Sequence, residues 1–257
     1  MDLPSLPGRV RLLLKGRLPG PTVVWASRAA AGFEQQLRDS DAFPHRTVTE
    51  AIARSLRIPR GKREILGGAL DLLQTAFDLA DNIADREQDV GAGRNYTAHY
   101  GRIPEAALVC MPALLTSSAV QILHEAFPKP SYAPRFAGQR LIRVLGDMVA
   151  GQGTSGASRR RVALVSGKQG LLLCLPFWLV AARGPRGKKR LAIVENWAFR
   201  FGCTWEYRQA HLDRPTVARK RALELALASV QRAWPSFSPF LAGEPLASDV
   251  LVPSAVC

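Results

Sequence analysis

The segment 64–89, EILGGALDLLQTAFDLADNIADREQD, limits what this chain can fold into more than any other stretch. It holds seven of the chain's 21 carboxylates in about a tenth of its length. At about 100° per residue, Asp71, Asp78, Asp81, Asp85 and Asp89 fall within an arc of roughly 80°. Leu72, Leu73, Ala76, Phe77, Leu79, Ala80, Ile83 and Ala84 cover the rest of the cylinder. That is the pattern of a helix buried on most sides, and long helices are buried by other long helices.

The remaining sequence fits such a partner set. Helical patterns run over 22–38, 47–58, 62–87, 104–127, 133–151, 167–183, 187–210 and 215–234, and no strand with clean alternation interrupts them. Turn chemistry punctuates them at 41–44, 91–93, 128–130, 151–158, 184–187 and 235–239. The apolar fraction of 47% comes mainly from Ala, Leu and Val, which favours helices over a β-sandwich. The expectation is an all-α, single-domain helical bundle over residues 22–240. Four prolines and several arginines in the first 21 residues predict a basic irregular arm, and the Pro-, Ser- and Ala-rich residues 241–257 a flexible tail.

A solvent-facing stripe normally mixes signs, because like charges at i,i+4 destabilise a helix. Here no base stands between Arg63 and Arg86, in a chain with 35 basic and 21 acidic residues and a net charge of +14. Divalent cations would neutralise the stripe. Carboxylates four residues apart hold Mg²⁺ while leaving coordination positions for water and substrate phosphates. Such a bridging ion acts as a Lewis acid on a phosphate leaving group.

With those residues in place, the chain resembles a known family. Asp81-Asn82-Ile83-Ala84-Asp85 is similar to the first aspartate-rich motif, DDxxD, of the trans-isoprenyl diphosphate synthases (polyprenyl synthetases), with Asn in second place. The preceding LGGALDLLQTAFDLADNIADRE resembles the branch that includes competence-pheromone isoprenyltransferases, with Asp78 as the extra aspartate three residues earlier. His99-Tyr100-Gly101 and PEAALVCMPALL resemble the family's YG turn and the helix after it. Gly151-Gln152 resembles the GQ motif, and Lys168-Gln169-Gly170-Leu171-Leu172 the KTxxL motif. Phe201-Gly202 with Trp205-Glu206 resembles the FG…FQ lead into a second aspartate motif.

The resemblance spans roughly residues 65–225. It implies the isoprenoid synthase (class I terpenoid) fold, usually a homodimer, and a Mg²⁺-dependent prenyltransferase that ionises an allylic diphosphate. Asp81 and Asp85 would be the catalytic pair, holding metal with Asn82 or Asp78. Lys168, Gln152 and Arg86 would bind substrate. The acceptor would be isopentenyl diphosphate or another molecule, and chain-length control would lie near Gln74 and Phe77.

Several positions depart from the family pattern. The second motif reads Gln209-Ala210-His211-Leu212-Asp213, with only its last aspartate. The arginine pair after the first motif is missing, with Arg86 and Arg94 out of register. Arg60-Gly61-Lys62-Arg63 lies too close to the acidic helix to match the family's GGKR run. The loop from Gln152 to Lys168 is short, and Ser155 replaces an aspartate. No Asn or Asp in the C-terminal half is followed by Ser/Thr at +4 and Glu at +8, as a terpene cyclase requires, although loss of the second motif leaves cyclisation or a non-standard acceptor open.

Three rival readings stand beside the transferase. A homologue without catalysis would serve as a partner subunit or lipid-binding protein, and a terpene cyclase would use the same first motif. The basic excess also suits nucleic acid, but no helix-turn-helix, zinc spacing or RNP-type aromatic motif accompanies it. The basic runs Arg159-Arg160-Arg161 and Lys188-Lys189-Arg190 suit solvated loops, with peripheral contact to an anionic membrane as an alternative. Cys110, Cys174, Cys203 and Cys257 are far apart, which predicts free thiols in a reducing, cytoplasmic protein. No secretion signal is expected, since the apolar run at residues 12–14 is too short.

Overall fold

The computed structural model describes residues 5–39, 45–85, 100, 102–128, 132–152, 167–180 and 184–237. All the regular elements among them are helical: α1 (Leu6–Leu14), α2 (Gly20–Asp39), α3 (His45–Ser55), α4 (Arg60–Asp85), α5 (Glu105–Ala126), α6 (Pro134–Gln152), a 3-10 turn (Leu171–Cys174), α7 (Leu175–Val180), α8 (Gly184–Asp213) and α9 (Val217–Phe237). The described helices fall close to the expected spans. The 241–257 tail lies outside the described residues. Two compact units share the chain: Met1–Ala42 with Glu64–Ala126, and Phe43–Arg63 with Phe127–Cys257.

In the first unit, the N-terminal arm corrects the sequence reading. Residues 6–14 are helix, not irregular chain. Ser5 caps the helix by accepting from the Gly8 N–H, and the proline at 7 sits in the first turn, where a missing N–H costs nothing. Leu6, Val10 and Leu14 repeat at i,i+4,i+8 and are buried. Of the arginines in the expected basic arm, Arg9 lies on another face of α1 and Arg17 beyond its C-terminal end. Arg9 Nε donates to Asp71 Oδ2 at 2.8 Å, and Arg17 Nη2 to Glu125 Oε2 at 2.8 Å. Arg17 holds the Glu125 carboxyl below its ordinary range. Gly68 lets Leu13 lie directly against α4, since a Cβ there would overlap the leucine side chain.

Helix α5 buries one face through Leu108, Met111, Leu115, Ala119 and Ile122. By length and composition it is long and apolar enough to cross a membrane, with 39% of its apolar window buried in the structure.

In the second unit, α3 ends in a Schellman motif. Ile58 N–H bonds Ala53 C=O, Arg57 N–H bonds Arg54 C=O, and Arg57 takes a left-handed φ of 56° where glycine is usual. The Arg60–Arg63 run finds packing partners here. Arg63 Nε donates to Glu50 Oε1 at 2.8 Å, and Lys62 Nζ lies 4.3 Å from the Tyr132 ring centroid and 4.9 Å from that of Phe127.

The helical stretch expected over 167–183 is interrupted. Pro176 has no N–H for the Leu172 carbonyl, and the Leu175 N–H takes that carbonyl in a 3-10 bond instead. Leu172 through Leu179 are all buried. Trp178 Nε1 donates to Glu195 Oε1 at 2.9 Å, and Arg140 lies 3.1 Å from the same carboxylate. Helices α8 and α9 pair as an antiparallel hairpin.

Candidate active site

Helix α4 carries the aspartate stripe, and its two ends differ in kind. At the early end Asp71 is 8% exposed and belongs to structure, bridged by Arg9 from α1. One turn on, Gln74 is 7% exposed, and its Nε2 has no partner among the described residues. Thr75 is fully buried, and its hydroxyl donates back to the Asp71 carbonyl. Phe77 is half-buried.

The next aspartate has a specific partner. Tyr100 is 3% exposed, and its hydroxyl donates to Asp78 Oδ2 at 2.7 Å. The ring lies against Gly32 of α2, where a Cβ would come within 2.8 Å of Cε1. Glycine at 32 therefore makes the slot that holds Tyr100, and Tyr100 fixes the rotamer of Asp78. The sequence pattern marked Tyr100 as part of a turn; its bond to Asp78 was not legible there.

Asp81, Asn82 and Asp85 follow on the last turns of α4, with Asp78, Asp81 and Asp85 at i, i+3 and i+7 of one face. The backbone at these positions is helical, as expected; their side chains lie outside the described residues, and so does Arg86. Among the described residues no group of three or more His, Cys, Asp or Glu side chains forms a metal cluster. The donor set suits a hard cation, because Asp78, Asp81 and Asp85 offer carboxylate oxygens and Asn82 an amide carbonyl oxygen.

In the second unit Lys168 Nζ donates to Asp147 Oδ2 at 2.8 Å, with side chains 37% and 43% exposed. That hydrogen bond holds the Asp147 carboxyl below its ordinary range. Asp147 was not singled out in the sequence, although it is the sole carboxylate of α6. Gln152 ends the same helix, and its side chain lies outside the described residues.

The Lys168 segment is seated on α8 by two glycines. A Cβ at Gly167 would meet Cys203 Sγ at 2.6 Å and Phe199 Cε2 at 2.7 Å. A Cβ at Gly170 would press into the Ala198 carbonyl oxygen and lie 3.0 Å from Gly202 N and Cα. Two motif segments recognised separately, around Lys168 and around Phe201-Gly202, are thus the two sides of one close helix crossing. Burial at this crossing pushes the Cys203 thiol up to about 11, and burial raises the Cys174 thiol well above its ordinary value.

The aromatic residues of α8 also pack. Phe201 stacks on Trp197 at 5.2 Å between centroids and lies 6.2 Å from Trp205, an i,i+4 ladder along one face. Arg208 covers the Trp205 ring at 5.0 Å. At the end of α8, the side chains of Gln209 and Asp213 lie outside the described residues. Cys110, Cys174 and Cys203 are free thiols, as expected.

No family model matches the chain, and no curated protein is similar to it in sequence. Solved structures are similar in fold. A geranyltransferase from Legionella pneumophila aligns with a TM-score of 0.64 at 14% identity, over 91% of this chain and 90% of that one. A geranylgeranyl pyrophosphate synthetase from the archaeon Geoglobus acetivorans aligns with a TM-score of 0.64 at 16% identity, over 97% and 95%. The chain has the all-α fold of the isoprenoid synthase type.

Proposed function

We propose that this protein is a Mg²⁺-dependent prenyltransferase that takes an allylic isoprenyl diphosphate at the Asp81–Asp85 end of α4. The prenyl group would pass to isopentenyl diphosphate or to another acceptor. The observation that carries this reading is the likeness in fold to two solved prenyl synthases over nine-tenths or more of every chain compared. The aspartates at 78, 81 and 85 support it, since same-sign charges at i,i+3 and i,i+4, with no base between Arg63 and Arg86, are stable beside a bound cation. A Mg²⁺ ion held by Asp81 and Asp85, with Asn82 or Asp78, would supply the charge that stabilises a departing diphosphate.

The chain's own residues do the rest of the work. Tyr100 orients Asp78 by its hydrogen bond, so that carboxylate is preorganised at little entropic cost. Lys168 is a ligand for the diphosphate oxygens in this reading. Its bond to Asp147 does not forbid that, because an exposed ion pair is worth only about 0.2–1 kcal/mol, and a diphosphate carries more charge than one carboxylate. Apolar and small residues beside the stripe, Ala76 and Leu79 among them, are buried and would shield an allylic cation from water.

The segment Gln209–Asp213, with one carboxylate where the resemblance implies three, favours a second reading: the same fold kept by a homologue that does not ionise substrate. The two are separated by measuring diphosphate release from geranyl, farnesyl and geranylgeranyl diphosphates, with and without Mg²⁺ and isopentenyl diphosphate. The transferase reading expects Mg²⁺-dependent release that falls by about two orders of magnitude or more in Asp81→Ala. Folded protein that releases nothing from any of the three substrates supports the second reading.

A further inference from the structure

Between α8 and α9, wholly within the second unit, lies a cavity of about 200 Å³ lined by Ile193, Asn196 and Arg200 from one helix and Arg232 and Ala233 from the other. None of its five lining residues is acidic. The carboxylate nearest in sequence, Glu195, is occupied by Trp178 and Arg140. Arg200 is held as a fixed fork: its Nε donates to Asn196 Oδ1 at 3.1 Å, and its Nη1 to the Ser229 hydroxyl. Both N–H groups of Nη2 remain for a ligand. Arg232 is exposed and has no hydrogen bond or ion pair among the described residues.

Two guanidinium groups facing one recess without a counter-charge repel each other, and an anion between them removes that cost. A planar fork pre-set by Ser229 and Asn196 suits the tetrahedral oxygens of phosphate, with the Asn196 amide as a neutral donor beside it. Ile193 and Ala233 give the recess an apolar side, which a carbon substituent of a phosphate ester would cover. The wider field points the same way, because residues 184–237 hold eleven Lys and Arg against four Asp and Glu.

We propose that the α8–α9 recess is a phosphate-binding site, formed by Arg200, Arg232 and Asn196, separate from the aspartate stripe of α4. Its ligand is a phosphate group, either free in solution or carried as a lipid headgroup. The site needs no metal, so it stands or falls independently of the prenyltransferase reading.

The test uses the full chain in EDTA and low salt, which silences any metal-bridged binding at the aspartates. One arm titrates inorganic phosphate and pyrophosphate by calorimetry. The other measures co-sedimentation with vesicles of phosphatidylcholine, with and without phosphatidic acid. Arg232→Gln is exposed and leaves packing intact; Lys220→Gln on the same helix removes an equal charge away from the recess.

The expected result is binding to at least one probe, weakened about tenfold or more by Arg232→Gln and less than about twofold by Lys220→Gln. Binding of the free anions alone identifies a soluble ligand, and binding of phosphatidic acid vesicles alone identifies a headgroup. The proposal is overturned if neither probe binds, or if the two substitutions weaken binding equally, since that is the signature of diffuse charge.

Discussion

Replacing Gly170 by alanine sets two opposed effects against each other, and their magnitudes decide the sign. Gly170 has φ −54° and ψ −31°, a helical backbone that alanine adopts freely. Propensity and the reduced entropy of the unfolded chain favour the change by up to about 1 kcal/mol. The new Cβ would, however, intrude on the Ala198 carbonyl oxygen and stand 3.0 Å from Gly202 N and Cα, at the limit below which real Cβ atoms are not found. These are backbone atoms of α8, so no side-chain rotation relieves them and the two helical segments must separate.

Because the clash is with backbone, overpacking here costs the upper part of the usual range, about 2–3 kcal/mol, which leaves a net loss of about 1–2 kcal/mol. For a chain of this size that lowers Tm by about 2–8 °C. Gly146→Ala is the matched control: it sits inside α6 with no atom within 4 Å of its Cβ position, and the same substitution there is expected to raise Tm by about 1–4 °C. Thermal unfolding followed by far-UV circular dichroism reads both. Shifts of the same sign in the two variants, or an unchanged Tm in Gly170→Ala, would refute the close crossing as a determinant of stability.

Arg9→Leu leaves Asp71 without its α1 cation at a site where that carboxylate is 10% exposed, and is expected to cost about 2–4 kcal/mol; urea midpoints should show most of this recovered when Asp71→Leu is added. The Lys168 bridge depresses the Asp147 carboxyl below its ordinary value of 3.8, so its contribution is fully present above about pH 4 and is lost as pH falls through the lower folded value. Lys168→Met should therefore cost about 0.2–1 kcal/mol near neutrality and nothing in strong acid; a deficit that persists undiminished at low pH would show that the pair is not its source. Arg57→Gly removes a left-handed strain at the α3 Schellman turn and should raise stability by up to about 1 kcal/mol in the same denaturant assay, with no change indicating that the strain is absorbed elsewhere.

Much of the fold was legible because its signal is local. The period of Leu72, Leu73, Ala76 and Leu79 against Asp71, Asp78, Asp81 and Asp85 requires no knowledge of the rest of the chain, and α4 follows it. The same holds for the break between α5 and α6, whereas the turn expected at 184–187 falls inside α8 and residues 235–237 continue α9, because a glycine or proline in a helix's first or last turn need not end it. Helix α1 departs from the expected irregular arm because a proline breaks a helix only beyond its first turn: Pro7 lies in that turn, where it is harmless, and Leu6, Val10 and Leu14 repeat at helical spacing. The break before α7 was likewise marked by Pro176, whose absent N–H transfers the Leu172 carbonyl to Leu175.

The site divides along the same line. Sequence alone determined that aspartates recur along one face of one helix, since helical geometry fixes the direction of every side chain relative to its neighbours at i+3 and i+4. It also placed Lys168 at the start of the helical stretch expected over 167–183. Only tertiary structure decided what each charge is for. Asp71 became a structural anchor because α1 brings Arg9 to it, and Asp78 acquired an orienting hydroxyl because Gly32 leaves room for the Tyr100 ring. Lys168 met Asp147, twenty-one residues away in sequence. These partners come from separate helices, and no periodicity within one segment encodes the distance between two; that distance is set by which faces exclude water together and how closely glycine lets them approach.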